Sequence, residues 1–413
     1  MVPEGWTQNT LSEIVKEKIS YGIVQAGPHI DDGVPYIKSS DVRGGITPSQ
    51  LQKTSNDIHH KYRRSAVHPG DIVFSLRGNI GEAAIVPNEL KEANLTQGTA
   101  RISVSNEHNN LFHYYQLTST SVLNHVNALS KGSTFKEISL EELRKVKVHC
   151  PPLAEQKKIA QILSTWDQAI ATTERLLDLA RQQKKALMQQ LLTGKKRLPN
   201  QNGEPFDGEW KKYTLSNFGQ CIRGVSYKPE IICETESGTT IRLLRSTNIQ
   251  NGSLNDKDLV ILPSDSVKPS QILKIGDLAI CMANGSKALV GKSAPFKESN
   301  VKYTIGAFCA IFRPSKETPA EYVKFIFESE QYQSQLLEIL AGSSINNLKG
   351  SDIELIRIPA PANPKEQQKI ASILSTADQE IETLQSQIDG LKQEKKALMQ
   401  ALLTGKRRVS VDE

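Results

Sequence analysis

Several short stretches carry residue types that do chemistry elsewhere. Methyl transfer to a nucleobase amine needs a polar-Pro-Pro-aromatic loop and a glycine-rich cofactor turn, whereas Cys150-Pro151-Pro152-Leu153 supplies only the prolines. That stretch reads as a stiff lead into a helix, with Pro361 and Pro364 placed equivalently before a second one. Ser286-Lys287-Ala288-Leu289-Val290-Gly291-Lys292-Ser293 resembles a phosphate-binding loop with Ser in place of its first Gly. No motor-type acidic motif follows it, and Gly291 and Ala294 match Gly81 and Ala84 earlier in the chain, where no Lys-Ser pair follows. Glu394-Lys395-Lys396 holds a nuclease-like Glu-x-Lys fragment without the acidic strand that such a site requires. Eight histidines, including His59-His60, and the cysteines lack zinc-ligand spacing, so no metal site is expected. No residue is assigned a catalytic role, and the chain is expected not to be an enzyme.

The elements that position these residues follow from length and periodicity. With 413 residues the chain can bury two cores. A net charge of +6 permits an anionic partner without requiring one. Five cysteines (Cys150, Cys221, Cys233, Cys281, Cys309) form no C-x-x-C pair, which fits a reducing cytoplasm. The start, from Met1 to Trp6, lacks a leader pattern, and no apolar run reaches the roughly 18 residues of a membrane span. A cytoplasmic protein without membrane attachment is expected.

An internal repeat organises the chain. Glu155-Gln156-Lys157-Lys158-Ile159-Ala160 recurs as Glu366-Gln367-Gln368-Lys369-Ile370-Ala371, an offset of 211 residues. The same offset relates Ile162-Leu163-Ser164-Thr165 to Ile373-Leu374-Ser375-Thr376, and Lys184-Lys185-Ala186-Leu187-Met188-Gln189 to Lys395-Lys396-Ala397-Leu398-Met399-Gln400. Each copy closes on Leu-Leu-Thr-Gly-Lys, a helix stop at Gly194 and Gly405. One seam runs Ile159, Leu163, Trp166, Ile170, Thr173, Leu177, Ala180, Lys184, Leu187, Leu191; its twin runs Ile370, Leu374, Ala377, Ile381, Leu384, Ile388, Leu391, Lys395, Leu398, Leu402. Alternating steps of four and three predict two long helices, each seam roughly 48 Å long, that pack on each other as a coiled coil. Thr173, Lys184 and Lys395 dilute the seam, and polar residues there set register.

The segments ahead of the helices match only in framework. Tyr36-Ile37-Lys38-Ser39-Ser40-Asp41-Val42 parallels Leu243-Leu244-Arg245-Ser246-Thr247-Asn248-Ile249, and Pro69-Gly70-Asp71-Ile72-Val73 parallels Lys274-Ile275-Gly276-Asp277-Leu278-Ala279. Ile72-Val73-Phe74, Ala84-Ile85-Val86, Leu278-Ala279-Ile280 and Ala307 to Phe312 read as strands; Leu111 to Val126 and Ala320 to Leu340 read as amphipathic helices. A kept framework with varied loops is what two binding modules for different targets would show.

Two direct repeats, each a variable domain followed by a helix opening Pro-Pro-Leu-Ala-Glu-Gln-Lys-Lys-Ile-Ala and closing Leu-Leu-Thr-Gly-Lys, resemble the specificity subunits of type I restriction-modification systems. The likeness covers essentially the whole chain, and the second helix departs from it with Ala362-Asn363-Pro364-Lys365. It implies an α+β (mixed α/β) fold with two target-recognition domains, 1–152 and 198–363, and two helical spacers, 153–197 and 364–408. The spacers would be antiparallel and related by a pseudo-two-fold axis. It implies binding to double-stranded DNA at a bipartite target with a fixed gap, and recruitment of two methyltransferase subunits and of restriction (motor-nuclease) subunits. S-adenosylmethionine would belong to the methyltransferase partner, leaving no cofactor here.

Base reading needs side chains with paired donors and acceptors. The candidates are Lys38, Ser39, Asp41, Arg43, Arg77 and Asn79 in the first domain, and Arg245, Asn248, Asn284 and Lys287 in the second. The polar, glycine-led loops at Ser133, Thr134 and Lys136 and at Ser343, Asn346 and Asn347 join them. Lys195-Lys196-Arg197 and Lys406-Arg407-Arg408 are either phosphate contacts or solvated helix ends. Two rival readings remain: a non-catalytic coiled-coil adaptor for protein partners, and a nucleoside-triphosphatase on Ser286–Ser293 whose ATP binding Lys292→Ala would abolish.

Overall fold

A computed structural model of the chain describes residues 2–132, 136–297, 300–342 and 347–411. It divides into two compact units. One comprises Met1–Glu174 with Ser386–Glu413, the other Arg175–Gln385. Both boundaries fall inside long helices, Leu153–Leu191 and Pro364–Leu403. The compact units therefore cut across the four linear segments expected from the sequence, because each domain folds with half of each helix.

In the first unit the domain opens and closes as one ribbon: Thr7–Thr10 pairs antiparallel with Lys147–Cys150. Ile72–Ser75 lies between Ala83–Ile85 and Thr99–Ile102. Alternate side chains leave a strand on opposite faces, so Ile72 and Phe74 enter one core and Val73 another. Both faces are covered, which is why the sequence reads there as an unbroken apolar run. The second unit repeats the device with Leu278–Cys281, sending Leu278 and Ile280 to one core and Ala279 and Cys281 to another. Its ribbon pairs Trp210–Thr214 with Arg357–Pro361.

Three local expectations are corrected. Leu111 to Val126 is two helices, Asn110–Leu117 and Thr120–Leu129, because the Ser119 hydroxyl accepts from Val122 N and starts a new helix. Likewise Ala320–Glu328 and Glu330–Ala341 are separated by Ser329, which accepts from Tyr332 N. The strand expected from Ala307 begins only at Cys309, since Cys309 N donates to Gly306 O and turns the chain at Ala307-Phe308.

The long helices have 39 and 40 residues, about 60 Å each at roughly 1.5 Å per residue. Every seam residue is buried or half-buried. In the first unit Asp167 pairs with Lys395 and Glu174 with Lys392, 2.6 Å. In the second, Lys184 pairs with Asp378 at 2.6 Å and Arg181 donates to Gln385 at 3.5 Å. Partners on one helix advance as those on the other retreat, so the paired halves within each unit are antiparallel. Gly194 and Gly405 end the helices at φ +73° and +68°; a Cβ on Gly194 would lie 2.8 Å from the Trp210 ring, and one on Gly405 2.3 Å from Pro3. Among the described residues no helix is long and apolar enough to cross a membrane.

Candidate nucleic-acid interface

The first unit gathers three loops around Ser39. After strand Val34–Ile37 the chain makes one helical turn, Ser39–Val42, held by the Asp41 carboxylate accepting from Lys38 N at 2.9 Å. Ser39 Oγ donates to Arg77 O at 2.6 Å and contacts Ser75 Oγ. Leu76 N donates to Gly98 O at 2.9 Å, and a Cβ on Gly98 would sit 3.3 Å from Arg77 Nε. A fourth segment joins through the bridge between Arg77 and Glu137 and the bond from Ile138 N to Leu76 O, 3.0 Å. Ser39, Arg77 and Lys136 thus belong to one cluster of loops. Arg43, Arg77, Asn79 and Lys136 are exposed. Lys38 is half-buried, its ammonium donating to Gln52 Oε1 at 3.2 Å. Asp41 is occupied in holding its turn.

The second unit repeats four of these contacts. Arg245 N donates to the Asn248 side chain at 2.8 Å, Met282 N to Phe308 O at 2.8 Å, and Leu348 N to Met282 O at 2.8 Å. Ala283 bridges to Asn347 where Arg77 bridges to Glu137. Arg245, Lys287 and Asn347 are exposed. The Asn284 carboxamide oxygen accepts from Ser286 N at 3.0 Å. Asn248 corrects the sequence reading: it is 1% exposed, and its amide also donates to Asn255 O at 3.0 Å and Lys257 O at 2.7 Å. Both ends of this carboxamide are occupied within the turn. Ser133, Thr134, Ser343 and Asn346 lie outside the described residues.

The frame also exposes a position that sequence reasoning missed. Where the first unit has Gly98, the second has Phe308, 70% exposed at the centre of its loops. An aromatic inside an apparent apolar strand hid its place in a turn.

The two basic helix ends are also corrected in part. Arg197 donates through Nε and a terminal nitrogen to Glu366, at 3.1 and 2.7 Å, and Arg408 does the same to Glu155, its Nε at 3.0 Å. Each carboxylate accepts as well from a tryptophan, Trp210 at 3.1 Å and Trp6 at 3.3 Å. These arginines are committed to structure, while Lys195, Lys196, Lys406 and Arg407 stay exposed. Lys184 and Lys395 likewise do more than dilute a seam. Lys184 reaches Glu328 and the Phe325 ring in its unit, and Lys395 reaches Asp167 and the Tyr115 ring in its own.

The phosphate-loop fragment has the wrong geometry. It forms a single 3-10 turn, Lys287–Leu289, and runs into strand Ser293–Pro295 rather than into a helix. Gly291, at φ +83°, packs against Leu336 as Gly81, at φ +87°, packs against Leu123, so the shared glycine serves close packing. Burial pushes the thiols of Cys221 and Cys309 up to about 12 and that of Cys150 up to about 11, which keeps them protonated at neutral pH. One grouping that spacing concealed is His108, His113 and Cys150, whose donor atoms lie within 4.8 Å of one another. Burial first, and the neighbouring His108 second, push His113 down to about 3.

The sequence matches the family described as Type I restriction modification DNA specificity domain twice, over residues 3–181 and 207–393. It is 35% identical over 198 residues to the StySPI type I restriction enzyme specificity subunit of Salmonella potsdam, covering 47% of this chain and 42% of that one. To the EcoKI specificity subunit of Escherichia coli K12 it is 35% identical over 201 residues, again covering 42% of that protein. The chain thus spans less than half the length of these two relatives. The MjaVIII specificity subunit of Methanocaldococcus jannaschii is 25% identical over 99% of this chain and 94% of its own. In fold, the chain resembles the S subunit from M. genitalium (TM-score 0.61, 16% identity, 98% and 99% coverage). It also resembles a chain of a type I R-M system solved for its complex assembly and conformational transition (TM-score 0.58, 18% identity, 98% and 100% coverage).

Proposed function

The chain belongs to the family of type I restriction modification DNA specificity domains, carried in two copies, and from that premise we propose that it is the sequence-reading subunit of a type I restriction-modification complex. The observation that carries the proposal is one loop frame built twice with different tips. Arg77 and Gly98 at the first are Ala283 and Phe308 at the second. Equivalent backbones would approach equivalent groove surfaces, and different side chains there would select different bases. The target is therefore bipartite and asymmetric, with unread bases between its halves. The two long helices act as the spacer that sets the gap.

Within this reading the chain contributes recognition and no bond-making step. Methyl transfer to adenine, with S-adenosylmethionine as donor, belongs to two methyltransferase subunits that it recruits. Restriction subunits join the same assembly on double-stranded DNA.

The test is the genome-wide adenine methylation pattern in cells carrying this gene with its cognate methyltransferase gene, before and after each recognition domain is exchanged separately. A split motif whose halves change one at a time is expected. Methylation indifferent to both exchanges would overturn the reading and leave a coiled-coil adaptor.

A further inference from the structure

The His108, His113 and Cys150 cluster lies wholly within the first unit and takes no part in the loop frame described above. His108 sits two residues before helix Asn110–Leu117, whose first turn ends near His113, and Cys150 closes the ribbon strand Lys147–Cys150. His113 and Cys150 are buried and His108 is half-buried. Two imidazoles and a thiol are the donor set of zinc-class cations.

Two independent observations point to a ligand. The first is spacing. His113 Nε2 is 3.3 Å from His108 Nδ1, and two nitrogens bound at roughly 2.0–2.1 Å to one tetrahedral ion stand about 3.3 Å apart. The second is the other unit. Its ribbon pairs Arg357 with Thr214 as the first pairs Lys147 with Thr10, which aligns Cys150 with Ala360. Asn109 and Pro319 are equivalent helix N-caps, which aligns His113 with Val323. Val323 and Ala360 are both 0% exposed. The second unit fills two of the three places with apolar side chains, so a buried His and Cys there are not a requirement of packing.

We propose that His108, His113 and Cys150 bind one zinc-class divalent cation, through one ring nitrogen each and the thiolate, with water in the fourth position. Binding displaces the thiol proton to solvent and forms the metal–sulfur bond. Gln156, in the first turn of helix Leu153–Leu191, accepts from Asn109 N at 2.8 Å and donates to Pro151 O at 2.8 Å. Its amide nitrogen is 3.4 Å from His108 Nδ1. Through its bond with Asn109 N this glutamine joins the segment that carries His108 to the start of the helix.

The experiment is titration of the metal-stripped full-length chain with Co2+, followed by Zn2+. One equivalent of Co2+ is expected to give thiolate-to-cobalt charge transfer with tetrahedral ligand-field bands, to release about one proton, and to be displaced by Zn2+. Cys150→Ser should abolish the charge-transfer band. The double variant His113→Val with Cys150→Ala takes the residues the second unit already uses, so it should fold and bind no Co2+. A wild-type chain without a tetrahedral cobalt spectrum, or a double variant that binds Co2+ as the wild type does, would overturn the proposal. Neither readout involves DNA or methylation, so failure here leaves the recognition reading standing.

Discussion

Glu366 offers the sharpest test of what holds a recognition domain to its helices. Its carboxylate is 0% exposed and accepts two bonds from Arg197 and one from Trp210. Removing one member of a buried pair costs about 3–5 kcal/mol when the survivor is stranded. In Glu366→Gln the survivor is Arg197, whose side chain is 32% exposed and keeps its bond to Phe206 O, so water offsets part of the loss. We expect a cost of about 2–3 kcal/mol. Arg197→Ala strands the enclosed carboxylate instead and should cost more, about 3–4 kcal/mol. Replacing both by methionine removes the stranded charge and should recover stability to within about 1 kcal/mol of wild type. Trp210 is the only tryptophan of the second unit, the others being Trp6 and Trp166. Urea unfolding followed by its emission in a Trp6→Phe, Trp166→Phe background therefore reports this unit alone. Single-variant costs below about 0.5 kcal/mol, or a double variant whose cost is the sum of the two, would refute the reasoning.

Three further outcomes follow from the same geometry. Asp378 is held below its ordinary value near 3.8: burial raises it, but hydrogen bonds from Lys184 and Lys324 outweigh burial. Lys184 is held above its ordinary 10.5, because Asp378 and Glu328 outweigh its own burial. The stability from this pair is thus present between the two ordinary values, is lost as pH falls through the depressed carboxylate value, and is lost again as pH rises through the raised ammonium value. Asp378→Asn should destabilise the second unit by a constant amount from about pH 5 to 9, with the gap closing under acid; a gap that widened toward acid would contradict the sign. Arg77→Ala should weaken binding of the assembled complex to its cognate duplex about 10- to 100-fold and relax preference at one base of one half-site. An equal loss on all duplexes in filter binding would instead make Arg77 a phosphate contact. Inserting four residues near Thr193 adds about 6 Å, or roughly two base pairs, and should widen the unread gap in the methylated motif; an unchanged gap would sink the spacer role.

The helices and their pairing were legible because they rest on local periodicity. Seams such as Ile159, Leu163 and Ile170 announce a buried stripe whatever surrounds them. The strands at Ile72–Ser75 and Leu278–Cys281 were legible for the same reason. The candidate interface was legible only as a frame. Lys38-Ser39-Ser40-Asp41 and Arg245-Ser246-Thr247-Asn248 were rightly paired, but Asp and Asn there serve as caps, a role that composition does not distinguish from base reading. Arg197 and Arg408 find their carboxylates 169 and 253 residues away, and His108 meets Cys150 only through the fold. No window of sequence contains such meetings.

One pair of equivalent residues shows how a duplicated scaffold lets its copies diverge. Gln156 and Gln367 occupy the same place in the two helices, and each donates its amide to the carbonyl of a proline just ahead, Pro151 and Pro361. In the first unit the Gln156 carboxamide oxygen accepts from Asn109 N. In the second the equivalent N-cap is Pro319, which has no N–H to give, and the Gln367 oxygen is buried without a partner among the described residues. The glutamine is the same in both copies while its surroundings differ. The copies differ likewise in having Val323 and Ala360 in the second unit where the first has His113 and Cys150, and Phe308 where the first has Gly98. In both units the Trp-Glu-Arg constellation joins domain to helix through other residues than these.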